Sequence, residues 1–221
     1  MEEKILDSSK NEDEKTEKEN FKDGNNSKEG NLPVSEKISE YNKLFSGYSG
    51  IEWDRMPDIE LYMDQVVTFL DRHLGIYKLN EEDKIVTPSM INNYTKDRIV
   101  PRAESKKYSR EHIALILIVV SLKKVLSMPD LTNLLKDFET NRDTKIEEFY
   151  NKFLQYQNNA ISKSTSEIEA FLRERSISEE SGSEIMKDLA LELSVQSHIN
   201  CILAEHILNI ITNNEKNGKI K

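Results

Sequence analysis

The chain has 221 residues and a formal net charge of −9, with 32% charged and 37% hydrophobic residues. Its one cysteine, Cys201, excludes an intrachain disulfide and a cysteine-based zinc site, and five prolines and seven glycines are too few for a turn-rich β fold. The longest apolar run, Ile113–Val120, has eight residues and falls far short of a membrane span. The acidic N-terminus lacks the apolar core of a signal peptide, so the expected location is the cytoplasm, with no membrane partner.

In chain order, residues 1–40 read as a disordered acidic tail. They are rich in Glu, Lys, Asn and Ser and hold few large apolar residues to offset the entropy of ordering. Leu44, Phe45, Tyr48, Ile51 and Trp53 are candidates to dock on the domain that follows. Pro57 and Asp58 suit a helix start. Ile59, Tyr62, Met63, Val66, Val67, Phe69 and Leu70 then recur at helical spacing as far as Gly75. A polar loop covers 78–84. Thr87-Pro88 pairs a hydroxyl N-cap with proline at the first helical position and predicts a helix over 88–96.

That helix turns Met90, Ile91 and Tyr94 one way and leaves Ser89, Asn92, Asn93 and Lys96 outside. Two adjacent asparagines are poor helix formers. Exposed side-chain amides, however, can pair donor and acceptor with the edge of adenine. The bland alternative is solvated surface.

Pro101 ends helix, and Arg102 to Lys107 read as a short β-ribbon or wing whose cations can reach phosphates. Ser109 caps the next helix, apolar nearly all round from Ile113 to Leu122 and therefore central to the core. His112 reads as a structural first-turn residue. Ser127 and Asp130 stand at capping-box spacing before a short helix carrying Leu131, Leu134, Leu135 and Phe138. Residues 139–144 read as a hinge. A helical stretch from Ile146 to Leu172 follows, with Ser162–Ser166 as a candidate interruption, then a loop over 176–184. A last helix runs from Ser183 to Ile211 with a long apolar stripe.

Charge singles out one segment. Residues 85–126 hold eight Lys/Arg against three acids, a net +5, while the rest of the chain is acidic. Folding alone does not require such an island. Global acidity does not silence it, because salt screens distant charge within about 10 Å.

The order helix, helix, basic wing, apolar helix, short capped helix resembles the MerR-type winged helix-turn-helix, carried by residues between Thr87 and Leu135. Ile91-Asn92-Asn93-Tyr94 resembles its recognition-helix run, Ile99-Val100-Pro101-Arg102 its exit into the wing, and Lys107-Tyr108-Ser109 the close of the wing. The block from Pro57 to Leu135 also resembles a bacterial family filed as a domain of unknown function, with the hallmarks LYMDQV, MINNY and KKYSREH at Leu61–Val66, Met90–Tyr94 and Lys106–His112. That family is thought to contain helix-turn-helix regulators. Against the MerR-type pattern, this chain has Asn92 where the recognition helix has arginine, Arg98 where glycine precedes the wing, a shorter wing and a longer loop before Thr87.

The resulting expectation is a mainly all-α protein with a disordered tail (1–40), a MerR-like winged helix-turn-helix domain with a small wing (57–138), and a helical dimerisation and sensing region (145–212). The expected function is sequence-specific binding of double-stranded DNA by a homodimeric transcriptional regulator, with repression favoured over activation. Ser89, Asn92, Asn93, Lys96, Arg98, Arg102, Lys106 and Lys107 are the expected DNA contacts. The competing expectation is an all-helical adaptor or anti-regulator that binds protein and not DNA. His198, Cys201 and Glu205 share a face of the last helix where a sensor is conceivable, although a buried cysteine usually acts as a small hydrophobe. The sequence shows no glycine-rich phosphate loop, G-x-S-x-G or H-E-x-x-H, so no enzyme, cofactor or metal is expected.

Overall fold

The computed structural model describes residues 34–140, 145–174 and 182–218. It is mainly helical. The helices are α1 (Val34–Ser46), α2 (Met63–His73), α3 (Pro88–Lys96), α4 (Arg110–Leu122), α5 (Met128–Thr140), α6 (Ile146–Glu174) and α7 (Gly182–Lys216). The one sheet among the described residues joins β1 (Leu61–Tyr62) to β2 (Lys107–Tyr108), antiparallel, with Leu61 opposite Tyr108.

The core forms around α4. Ile113 to Val120 are buried without interruption, so this helix needs neighbours on every side. Each such aliphatic side chain contributes roughly 1.5–3 kcal/mol when removed from water. Val66 and Leu70 of α2, Ile91 and Tyr94 of α3, and Leu131 and Leu135 of α5 complete the centre.

The core reaches beyond 57–138 at both ends. Ile51, Trp53 and Met56 enter from the N-terminal side, Tyr150 and Leu154 from the first turns of α6. The Tyr150 hydroxyl donates to the Ile51 carbonyl at 2.7 Å, and Trp53 lies against the Tyr150 ring. Burial and the neighbouring Tyr48 and Tyr77 push the Tyr150 pKa above the ordinary phenol value, so the hydroxyl remains a donor. A second chain of bonds runs from Gln157 Nε2 to the Tyr77 hydroxyl (2.6 Å), from there to Ser121 Oγ (3.1 Å), and on to the Leu117 carbonyl (2.8 Å). Gly50 sits where these elements meet. A Cβ there would overlap the Leu154 side chain and stand 2.8 Å from Gln157 Oε1.

Several expectations need correction. Residues 34–40 belong to α1, not to a tail; residues 1–33 lie outside the described residues. Ile38 is buried, and Asn42 donates to the Thr165 carbonyl at 3.0 Å, so α1 is held by its packing on α6. Pro57 does not open a helix: α2 starts at Met63, after β1, and Ile59 is exposed. The backbone N–H of Tyr62 donates to Gln65 Oε1 at 2.9 Å, which fixes that start. Ser162–Ser166 do not interrupt α6. Thr165 Oγ1 donates back to the Ile161 carbonyl at 2.9 Å, so its hydroxyl is satisfied inside a continuous helix. The loop expected at 176–184 ends sooner, since α7 begins at Gly182 and continues to Lys216. Of that loop, 176–181 lie outside the described residues. The expected hinge at 139–144 is helical at its first two residues, and its last four lie outside the described ones.

Candidate nucleic-acid interface

Helix α3 is built as its sequence requires. Thr87 Oγ1 accepts from the Met90 backbone N–H at 3.3 Å, and Pro88 occupies the first turn. Ile91 and Tyr94 are buried; Ser89, Asn92, Asn93 and Lys96 are exposed. Their positions at i, i+3, i+4 and i+7 put all four on one outward face. The Tyr94 hydroxyl, buried and without a hydrogen-bond partner among the described residues, has its pKa raised by desolvation. It belongs to the interior and not to that face.

After α3 the chain turns at Arg98, whose φ of 59° lies in the left-handed region. Glycine adopts this conformation freely; an L-residue pays roughly 1–2 kcal/mol. Arg98 therefore keeps the turn at a cost in stability. The wing is a tight hairpin turn. Ser105 (φ 50°) and Lys106 (φ 66°) are both left-handed, and the Lys107 N–H donates to the Glu104 carbonyl at 2.9 Å. Two consecutive left-handed residues give the turn whose twist matches antiparallel strands. Lys106 thus stands at the tip.

Two anchors hold the wing. β2 pairs with β1, immediately before α2, and α2 packs against both α3 and β2. His112 supplies the other. Its Nδ1 accepts the Ser109 N–H at 3.1 Å, which leaves the proton on Nε2, 3.4 Å from the Arg102 carbonyl. Burial lowers the His112 pKa, against the opposing pull of the Arg102 carbonyl and of Glu111, Glu104 and Glu60. The folded state therefore favours neutral imidazole. Its contribution to stability is complete above the ordinary histidine value, about 6.5, and is lost as pH falls through the lower folded value. Thermal melts at pH 7.5 and 5.5 should show the parent losing a few degrees more than His112→Gln; equal losses would remove His112 from this role.

The eight expected contact residues divide. Lys96, Arg98, Arg102 and Lys106 are exposed and have no ion-pair partner among the described residues. Lys107 is not a free phosphate arm: it is half-buried, with its ammonium 5.7 Å from the Tyr62 ring centroid. Two other cations of the basic segment serve the fold. Lys123 Nζ donates to the Ile85 carbonyl at 3.2 Å, and Arg110 stacks on Trp53. Sequence reasoning missed Tyr62. It assigned that residue to the apolar face of a helix, whereas β1 leaves the ring exposed beside the wing. A strand of two residues, Leu61 and Tyr62, is too short to give a period to read.

The face of the last helix considered as a sensor does not converge. The Cys201 thiol donates to the Val125 carbonyl at 2.7 Å and lies 3.8 Å from Glu205 Oε1. Among the described residues no group of three His, Cys, Asp or Glu side chains is placed to hold a metal ion. No helix among them is long and apolar enough to cross a membrane.

The fold and this surface define a mainly helical protein with a small two-stranded ribbon and an exposed basic face beside one short helix. Residues 51–153 match the family model described as a domain of unknown function, DUF1836. The matched span coincides with the core from Ile51 to Leu154. No curated protein and no solved structure matches the chain.

Proposed function

We propose that this protein is a sequence-specific, double-stranded-DNA-binding transcriptional regulator of the cytoplasm, acting by repression, with residues 51–154 as a MerR-like winged helix-turn-helix domain. The observation that carries the reading is the outward face of α3. It presents an amide pair, Asn92 and Asn93, with Lys96; Arg98, Arg102 and Lys106, exposed and without an ion-pair partner among the described residues, follow in the chain of a protein of net charge −9. The order of α2, α3, wing, α4 and α5 fits that class. The connection from Leu74 to Thr87 is longer than the three- or four-residue turn of the simplest helix-turn-helix, yet α2 and α3 still pack together.

In this reading α3 enters the major groove. Its amides read base edges, while Lys96, Arg98 and the wing tip at Lys106 neutralise phosphates and fix the register. Neutralising phosphates releases counterions, so affinity should fall steeply with salt. Selection of bound fragments from random duplex DNA at two salt concentrations tests this. A shared motif, recovered more weakly at the higher salt, is the expected result. Failure to enrich any motif at either salt would turn the reading to a protein-binding adaptor.

A further inference from the structure

Helix α7 has apolar residues on two opposite sides. One side is used by the chain itself. There α7 packs on α1 and α5, and Cys201 reaches the Val125 carbonyl just beyond α4. Ala204, Leu208 and Thr212 follow Cys201 at three- and four-residue spacing and are half-buried along the same line.

Past Leu189, which is buried, the other side has no cover among the described residues. Ile199, Leu203, Ile207 and Ile210 share a face at helical spacing, and Leu191, Leu193, Val195 and Ile211 flank it. These eight side chains are between 37% and 64% exposed. They leave on the order of 700 Å² of apolar surface in water, more than the few hundred Å² in the patches of ordinary monomers. That approaches the roughly 800 Å² that each partner gives to a stable protein interface.

Charge identifies the occupant. Between residues 193 and 214 Glu205 is the only Asp, Glu, Lys or Arg, in a chain that is 32% charged. A helix face meant for water would carry several. A face meant for a different, charged partner would carry the opposite sign. A neutral face can meet itself without like-charge repulsion, and a two-fold axis requires that self-complementarity. Gln196 and Asn200, hydrogen-bonded to each other at 3.2 Å, are the polar pair at one end of the seam.

We infer that the exposed Ile199–Leu203–Ile207–Ile210 face of α7 is a homodimer interface, closed by the same face of a second copy of this chain. A two-fold crossing near Leu203 brings Ile199 of one copy towards Ile207 of the other and removes both stripes from water.

Light scattering coupled to size exclusion, on the full chain without DNA, tests this independently of the DNA reading. The parent should have twice the 25.6 kDa chain mass at micromolar concentration. Leu203→Asp with Ile207→Asp should give a monomer, because the axis brings the new carboxylates together. Its far-UV helical signal should be nearly that of the parent, since neither side chain supports the chain's own core. Cys201→Ser with Leu203→Cys adds a second measurement, and oxidation should link two chains. A monomeric parent, or a double-aspartate variant that stays dimeric, would overturn the inference.

Discussion

A fragment limited to residues 57–138 should remain unfolded, while one covering 48–158 should melt cooperatively. The shorter piece contains all of α2 to α4 and nearly all of α5, yet it lacks Ile51, Trp53, Met56, Tyr150 and Leu154. Each is worth roughly 1.5–3 kcal/mol of burial, so together they supply on the order of 10 kcal/mol. Whole domains are stable by only about 5–15 kcal/mol. The truncation also uncovers the face of α4 on which α6 packs and removes Phe149 from Phe138. The longer piece keeps the Tyr150–Ile51 bond and the Gln157–Tyr77–Ser121 chain. Circular dichroism melts and the dispersion of amide resonances decide between the two. A cooperative transition in the short fragment, within a few degrees of the long one, would show that α6 is dispensable to the core.

Asn92→Ala with Asn93→Ala should abolish the protein's ranking of DNA sequences without unfolding it. Both side chains are exposed on α3, and alanine is the better helix former, so the melting temperature should hold or rise slightly. What is lost is bidentate pairing to base edges, worth about 1–3 kcal/mol of discrimination per contact, or roughly ten- to a hundred-fold. Affinity for arbitrary DNA should change little, since Lys96, Arg98, Arg102 and Lys106 remain. Competition binding with the selected motif against scrambled duplex measures the ratio directly. If the double variant ranks sequences as the parent does, α3 is not the reading element.

What was legible in the sequence was local chemistry. Thr87-Pro88, Ser109 and the Ser127–Asp130 pair mark helix starts because each capping partner lies within three residues. Ile113–Val120 announces a buried helix because no exposed surface tolerates so long an apolar run. The outward set Ser89, Asn92, Asn93 and Lys96 follows from periodicity once the helix is placed. The misses depend on distant partners. β1 is two residues long and exists because Lys107–Tyr108 pairs with it from far along the chain. Among the described side chains of α1 one aliphatic, Ile38, is well buried, and a polar one, Asn42, finds its acceptor on α6. The continuity of α6 through Ser162–Ser166 rests partly on a hydroxyl turned back onto its own helix. Propensity and period carry none of this information.

The unbroken course of α6 has a mechanical meaning. Twenty-nine residues make a rod about 44 Å long. One end is locked into the core that carries α3, through Tyr150 and Leu154; the other carries α1 through Thr165. An unbroken helix transmits angle as well as position. A small tilt imposed at the far end by any partner or ligand would swing the end joined to the core that bears α3, with no break in the helix between them to absorb it. In the proposed dimer the distance between two reading helices would then be geared to the geometry of α6, and the spacing of DNA half-sites would be held to a narrow tolerance.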